Sequence, residues 1–162
     1  GQVLQLDLWA KEKTEEGIYA DISWVGVLKD SPSAEEETVF SAVVGARERG
    51  VEFIENELSK AAYPKGMDVD KQTRAFLMSA GFGDFLCHRT GHGIDREVHG
   101  YGANLDSVEF PDSRLLLPGS CFSIEPGIYR NDFGMRTEIN GNIRGNKLEI
   151  SGKARQFKLL TL

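Results

Sequence analysis

Two pairs of carboxylates, each in a segment with strand character, constrain this chain more than any other feature. Val3 to Trp9 alternates Leu4, Leu6 and Leu8 with Gln5, Asp7 and Trp9. That is the period-2 pattern of a strand with one face in a core, and Asp7 points away from the leucines. After the charged loop Lys11 to Gly17, β-forming residues return between Ile18 and Leu28, where Tyr19, Asp21 and Ser23 share a face. An antiparallel hairpin centred at Thr14 sets Asp7 opposite Asp21 and Trp9 opposite Tyr19. A second hairpin has the same form: Ser120 to Tyr129 and Met135 to Ile143 flank Asn131, Asp132, Phe133 and Gly134. A register centred between Asn131 and Asp132 sets Glu125 opposite Glu138. Pro126 cannot donate a ladder hydrogen bond, so this strand is expected to be irregular just after Glu125. Directly opposed Cβ atoms lie about 4.5 to 5.5 Å apart, close enough for both acids of a pair to reach metal ions about 3.5 to 4 Å apart.

Helices are expected between the hairpins. Ser31-Pro32-Ser33 followed by Glu35, Glu36 and Glu37 combines a capping hydroxyl, an early proline and first-turn acids, all suited to a helix N-terminus. The apolar spacing of Val39, Val43, Val51, Ile54 and Leu58 carries the helix to about Leu58, with Gly45 and Gly50 marking close packing. Tyr63-Pro64-Lys65-Gly66 stops it. Asp68 is the expected cap of a second helix running through Ala80. From Phe85 onward, short β-like runs alternate with Gly, Pro and Asn. The pattern predicts an α+β fold in a single domain over residues 1–162.

All three histidines fall between His88 and His99, and histidine serves both proton transfer near neutral pH and metal ligation. Four converging carboxylates repel one another unless cations or protons neutralise them. Four acids and one imidazole therefore predict a site for two divalent ions. Mixed oxygen and nitrogen ligation without thiolate suits manganese, cobalt, zinc or iron. Gly91 and Gly93 leave room for close backbone approach and favour His92 as the imidazole ligand, leaving His88 and His99 as acid, base or substrate contacts. Two such ions share a bridging hydroxide, the expected nucleophile for amide hydrolysis. Taken singly, each residue has a plainer explanation: a strand Asp usually faces solvent, and Glu138 could simply pair with Arg136. The joint pattern outweighs these.

Composition narrows the partners. The formal charge of −6 argues against nonspecific nucleic-acid affinity, which depends on a positive patch. Apolar runs such as Arg114 to Leu117 are too short to span a bilayer and the N-terminus lacks signal-peptide character, so the expected location is cytoplasmic, with no membrane partner. Cys87 and Cys121 are expected to be reduced, partly buried thiols.

Leu6-Asp7-Leu8, Tyr19-Ala20-Asp21-Ile22-Ser23, His88-Arg89-Thr90-Gly91-His92-Gly93-Ile94, Val98-His99, Ser123-Ile124-Glu125-Pro126-Gly127-Ile128-Tyr129 and Arg136-Thr137-Glu138 together resemble the pita-bread metallopeptidase superfamily of methionine aminopeptidases, aminopeptidase P and prolidases. The His-x-x-Gly-His and Glu-Pro-Gly-Ile-Tyr combination is more similar to its proline-peptide branch. The resemblance implies a curved antiparallel sheet with helices on its outer face. It also implies Asp7, Asp21, His92, Glu125 and Glu138 as ligands of two metal ions, manganese favoured, with Asp21 and Glu138 bridging. By the same carry-over, His88 and His99 bind substrate and stabilise the tetrahedral intermediate, Glu125 moves the proton, and Arg136 partners the ligand carboxylates. The implied substrate is a short, proline-containing peptide, cleaved before or after proline as by an Xaa-Pro aminopeptidase or a prolidase. Family catalytic domains carry a substantial half before the first ligand, whereas Asp7 stands near the start here. The chain therefore reads as a truncated, C-terminal part of a catalytic domain, expected to form homo-oligomers and with its own activity in question. The alternatives are a noncatalytic peptide- or protein-binding module on the same fold and nonpeptide hydrolysis of the creatinase type. Retention of all five ligands disfavours both.

Overall fold

Ser33 starts the longest helix. The computed structural model describes residues 2–152 and 154–162. In it, the Ser33 hydroxyl accepts from the Glu36 amide at 3.2 Å while the Glu36 carboxylate accepts from the Ser33 amide at 2.7 Å. This reciprocal capping box opens α1, Ala34–Ser59, close to the predicted bounds. Lys29 adds an ion pair to Glu36 at 2.6 Å. The buried side of α1 carries Val39, Phe40, Val43 and Ala46 into one apolar cluster and Val51, Ile54 and Leu58 into a second.

Helix α2, Gly66–Ser79, begins before the expected Asp68 cap. Its N-cap is Lys65, with no side-chain bond. Backbone carbonyls take over the capping role, Gly66 N donating to Arg114 O at 3.1 Å and Met67 N to Asp112 O at 2.9 Å. Orphan helix amides need only an acceptor, and here a neighbouring loop supplies it. Asp68 falls in the first turn and pairs with Lys71 at 3.2 Å.

Strands β1, Val3–Ala10, and β2, Ala20–Val27, form the first hairpin, but its register differs from expectation. Asp7 faces Ser23 and Trp9 faces Asp21. The turn accounts for the difference. Gly17 N closes on Thr14 O at 3.3 Å, and Tyr19 N is drawn away to Asp95 O at 3.0 Å instead of pairing with Trp9. An even shift preserves facing, so Asp7, Trp9, Asp21 and Ser23 still share one side. The leucines do not enter a core as predicted: Leu6 is 50 % and Leu8 61 % exposed. β1 is the edge of a β1-β2-β9 sheet, in which β9 (Leu160–Thr161) runs parallel to β2. Among the described residues nothing covers its outer face.

The second hairpin has the expected register. Ile124 faces Ile139 and Gly127 faces Arg136, which brackets Glu125 and Glu138 as opposed residues. Each expected strand is broken there, giving β4 (Cys121–Ile124) and β5 (Gly127–Tyr129) on one side, and β6 (Gly134–Arg136) and β7 (Ile139–Arg144) on the other. β4 and β7 lie in a sheet ordered β3-β4-β7-β8, with β3 at Gly93–Ile94 and β8 at Lys147–Ile150, whereas β5 and β6 form a separate ribbon. α1 joins the pieces. One of its clusters holds Val25 and Val27 of β2 with Ile128 and Met135 of the ribbon, and the other holds Phe122, Ile124, Ile139 and Ile143 of the larger sheet. No described helix is long and apolar enough to cross a membrane. The cysteines are free, but Cys87 is exposed instead of partly buried; only Cys121 is intermediate.

The capping box generates a pH-dependent prediction. Lys29 and the Ser33 amide hold the Glu36 carboxyl down at about 2, below its usual 4.5. Its contribution is therefore complete above pH 4.5 and is lost as pH falls toward 2. Glu36→Gln keeps the capping acceptor but loses the Lys29 ion pair, and should cost about 0.5–1 kcal/mol at pH 7 in urea denaturation. The deficit relative to the parent should shrink as the pH is lowered through that window.

Candidate metal centre

Breaks in the strands build the centre. At the interruption between β4 and β5, Glu125 turns toward the interior, and at the facing interruption Glu138 does the same. Glu138, 2 % exposed, meets Asp21 of β2 and His92 just before β3, and each of the three offers a ligand atom within 4.8 Å of the others. His92 Nε2 lies 3.4 Å from Asp21 Oδ2 and 3.3 Å from Glu125 Oε1. His92 Nδ1 is 3.1 Å from Gly93 O. A proton on Nδ1 directed to that carbonyl leaves the Nε2 lone pair facing the acids. Asp7 stands at the exposed margin, ion-paired with Arg136 Nη2. All five expected ligands line one cleft of about 240 Å³, together with Arg136, His99, Trp9 and Val98.

Small polar side chains orient the acids. Ser23 Oγ donates to Glu138 Oε2 at 2.8 Å, and Ser123 Oγ donates to Glu125 Oε1 at 2.9 Å while accepting from His92 N at 2.9 Å. Asn140 pairs with the Asp21 backbone, its Oδ1 accepting from the amide at 2.8 Å and its Nδ2 donating to the carbonyl at 2.5 Å. Arg136 Nε reaches Ser23 Oγ at 3.2 Å and Glu125 Oε2 at 3.7 Å, so its guanidinium does partner the carboxylates.

The helices hold the outer layer. Arg47, fully buried on α1, donates from Nη1 to Thr137 Oγ1 at 2.8 Å, directly before Glu138. Asp70, buried on α2, accepts from Thr90 N at 2.9 Å and Thr90 Oγ1 at 2.6 Å, and also from Ser107 N at 2.8 Å and Ser107 Oγ at 2.5 Å. Thr90 O in turn receives Glu125 N at 2.7 Å. The charged loop after β1 clasps the segment between His92 and His99: Lys11 Nζ donates to Arg96 O at 2.7 Å, and Arg96 pairs with Glu16 at 2.9 Å.

The electrostatics carry a tension. Burial and the negative charges of Glu125 and Asp21 push the Glu138 carboxyl up to about 9. Its Oε1 is buried with no hydrogen-bond partner. Burial alone would lower His92, yet Asp21 and Glu125 outweigh it and hold the imidazole above its ordinary value. A divalent cation would relieve the repulsion and occupy the orphaned oxygen, so these residues fit a metal. His99 packs edge-on against His92, ring centroids 4.4 Å apart, and burial with the nearby charges of His92 and Arg89 lowers its pKa. His88 is placed differently. It stands outside the cleft lining, its Nε2 2.7 Å from the Tyr129 hydroxyl and its Nδ1 2.6 Å from Arg89 O.

The sequence pattern of metallopeptidase family M24 matches residues 1–144. The chain belongs to this family. It is 36% identical over 121 residues to an uncharacterized peptidase of Staphylococcus haemolyticus, covering 74% of the chain and 32% of that protein. It is 32% identical over 124 residues to the Xaa-Pro dipeptidase of Lactobacillus helveticus, covering 76% of the chain and 31% of that protein. In structure it is similar to the X-Pro aminopeptidase of Thermotoga maritima, with a TM-score of 0.81 at 29% identity over 99% of the chain and 42% of that one. The Xaa-Pro dipeptidase of Bacillus anthracis gives a TM-score of 0.81 at 27% identity over 99% of the chain and 41% of that one. The chain thus has the M24 pita-bread fold, and spans less than half the length of these relatives.

Within the M24 frame the histidine segment depends on glycine. A Cβ at Gly91 would lie 2.1 Å from Ser123 O, and one at Gly93 2.7 Å from the Gly102 backbone. The close approach read from the sequence is therefore made to neighbouring main chain. Gly91→Ala should lower unfolding free energy by about 1–3 kcal/mol through this forced displacement. Gly83→Ala, whose added carbon would meet its nearest neighbour at 3.4 Å, should change it by less than about 0.5 kcal/mol in the same denaturation experiment.

Proposed function

We propose that this chain carries the dinuclear metal centre of a peptidase acting on short, proline-containing peptides, with Asp7, Asp21, His92, Glu125 and Glu138 holding two divalent ions, manganese favoured. The observation that carries this is the buried, unpartnered Glu138 Oε1 among Asp21, Glu125 and His92. A closed structural network would satisfy that oxygen, because an unmet buried acceptor costs about 1–3 kcal/mol. The names of the relatives, Xaa-Pro dipeptidase and X-Pro aminopeptidase, support the substrate class.

The chain's own residues then have separable tasks. Bound divalent ions supply an activated water at neutral pH and polarise the amide carbonyl. Glu125, held by Ser123 Oγ through Oε1, accepts a proton at its carboxylate and passes it to the leaving amine. His99, exposed on the cleft wall, offers a ring N–H to charge developing on the carbonyl oxygen, and burial with the nearby charges that lower its pKa favours its neutral form. Arg136 pairs with Asp7 and approaches Glu125 Oε2 at 3.7 Å, which holds both acids at the cleft wall. His88, turned onto Tyr129, is a positioning residue: the Tyr129 hydroxyl lies between it and Arg136 Nη1, 3.4 Å away.

Elemental analysis after dialysis against manganese tests the centre. The parent chain should retain about two ions, and Asp21→Ala and Glu138→Ala should each lose most of them. Manganese should also raise the melting temperature of the parent and leave both variants unmoved. A parent chain that retains no metal would overturn the assignment.

A further inference from the structure

One large apolar side chain in the cleft is left mostly in water. Trp9 is 58 % exposed although its cross-strand partner Asp21 is buried. It lines the cleft beside Asp7 and Asp21, with Val98 and His99 also in the wall. Among the described residues everything else lining that cleft is charged or imidazole, so Trp9 and Val98 supply its apolar wall. Trp9 shares the face of Asp7, two residues earlier on β1, whereas the exposed Leu6 and Leu8 point to the opposite face. It therefore does not belong to the leucine surface. Among the described residues it makes no aromatic pair and no cation sits over its ring. Its backbone is held firmly, paired with Asp21 one step before the last pair of the hairpin, Ala10 with Ala20.

An indole left in water beside a cluster of acids exposes apolar surface that a ligand can cover. Ligand sites commonly combine a few convergent polar groups with apolar walls, and this cleft has that layout with the acids as its floor. We propose that Trp9 determines substrate specificity by packing its ring against an apolar group, the proline ring or an apolar side chain, of the residue flanking the cleaved bond. Val98 adds a second apolar surface to the same cleft. This role presupposes the peptidase function proposed above.

The chain has two tryptophans, so Trp24→Phe leaves Trp9 as the sole indole reporter. With the chain loaded with zinc, mixing with Leu-Pro in a stopped-flow fluorimeter, read before turnover, should shift Trp9 emission to shorter wavelength. Gly-Gly, which lacks apolar side chains, should not. In parallel, Trp9→Ala should weaken Leu-Pro binding by about tenfold, equivalent to about 1.4 kcal/mol, with zinc content unchanged. Trp9→Phe should recover most of that loss, and Gly-Gly binding should be insensitive to both. Equal Leu-Pro affinity in the parent and in Trp9→Ala, both with zinc bound, would overturn the role of Trp9 and leave the peptidase function standing. A zinc-loaded parent that binds no dipeptide would remove both.

Discussion

Repulsion among buried carboxylates is the constraint on which this structure turns. Asp21, Glu125 and Glu138 come together around His92 in surroundings where like charges interact far more strongly than in water. Nothing local favours that arrangement. It persists because each acid is fixed by groups that belong to different parts of the fold: Glu138 by Ser23 of β2, Glu125 by Ser123 of β4, and the Asp21 backbone by Asn140 of β7. The serines take one oxygen of their partner, leaving others to face the cleft. The cost of assembling charge is met by the packing of α1 against both sheets, and divalent cations would convert that cost into affinity.

The sheet is discontinuous where the acids are presented. Glu125 and Glu138 keep the register of a hairpin but leave its ladder, so their carboxylates project where a regular pleat would have hidden or splayed them. Pro126 removes a donor at the break. On the far side Thr137 is caught by Arg47, so a helix stabilises the gap that the missing ladder bonds leave. The larger sheet and the β5–β6 ribbon can then take different directions on either side of the site.

Much of this was legible from residue pattern, because the second hairpin's register, the capping box and the long helix all follow from local chemistry. The misplacements came from tertiary partners. Tyr19 gives its amide to Asp95, which displaces the first hairpin's register. Loop carbonyls replace Asp68 as the cap of α2. Leu6 and Leu8 alternate as core residues do, yet alternation fixes which side a residue faces and not whether anything covers that side. Asp70 was invisible for a similar reason. An acid inside a helix carries no local mark that it will accept hydrogen bonds from Thr90 and Ser107. Ser23 could have been found, since it shares a face with Asp21, and Ser123 precedes Glu125 at the same spacing.

The bond from Tyr19 N to Asp95 O joins the strand bearing Asp21 to the loop bearing His99. It is made entirely by main chain, while the Asp95 carboxylate shapes the loop that presents the carbonyl by accepting from Glu97 N and Tyr101 N, both at 2.8 Å. The flanking Arg96–Glu16 salt bridge can be lost through substitution while this joint survives. Proline at position 19 is the exception, because it deletes the donor. The strand of Asp21 and the loop of His99 are therefore tied at a point that most side-chain substitutions do not cut directly.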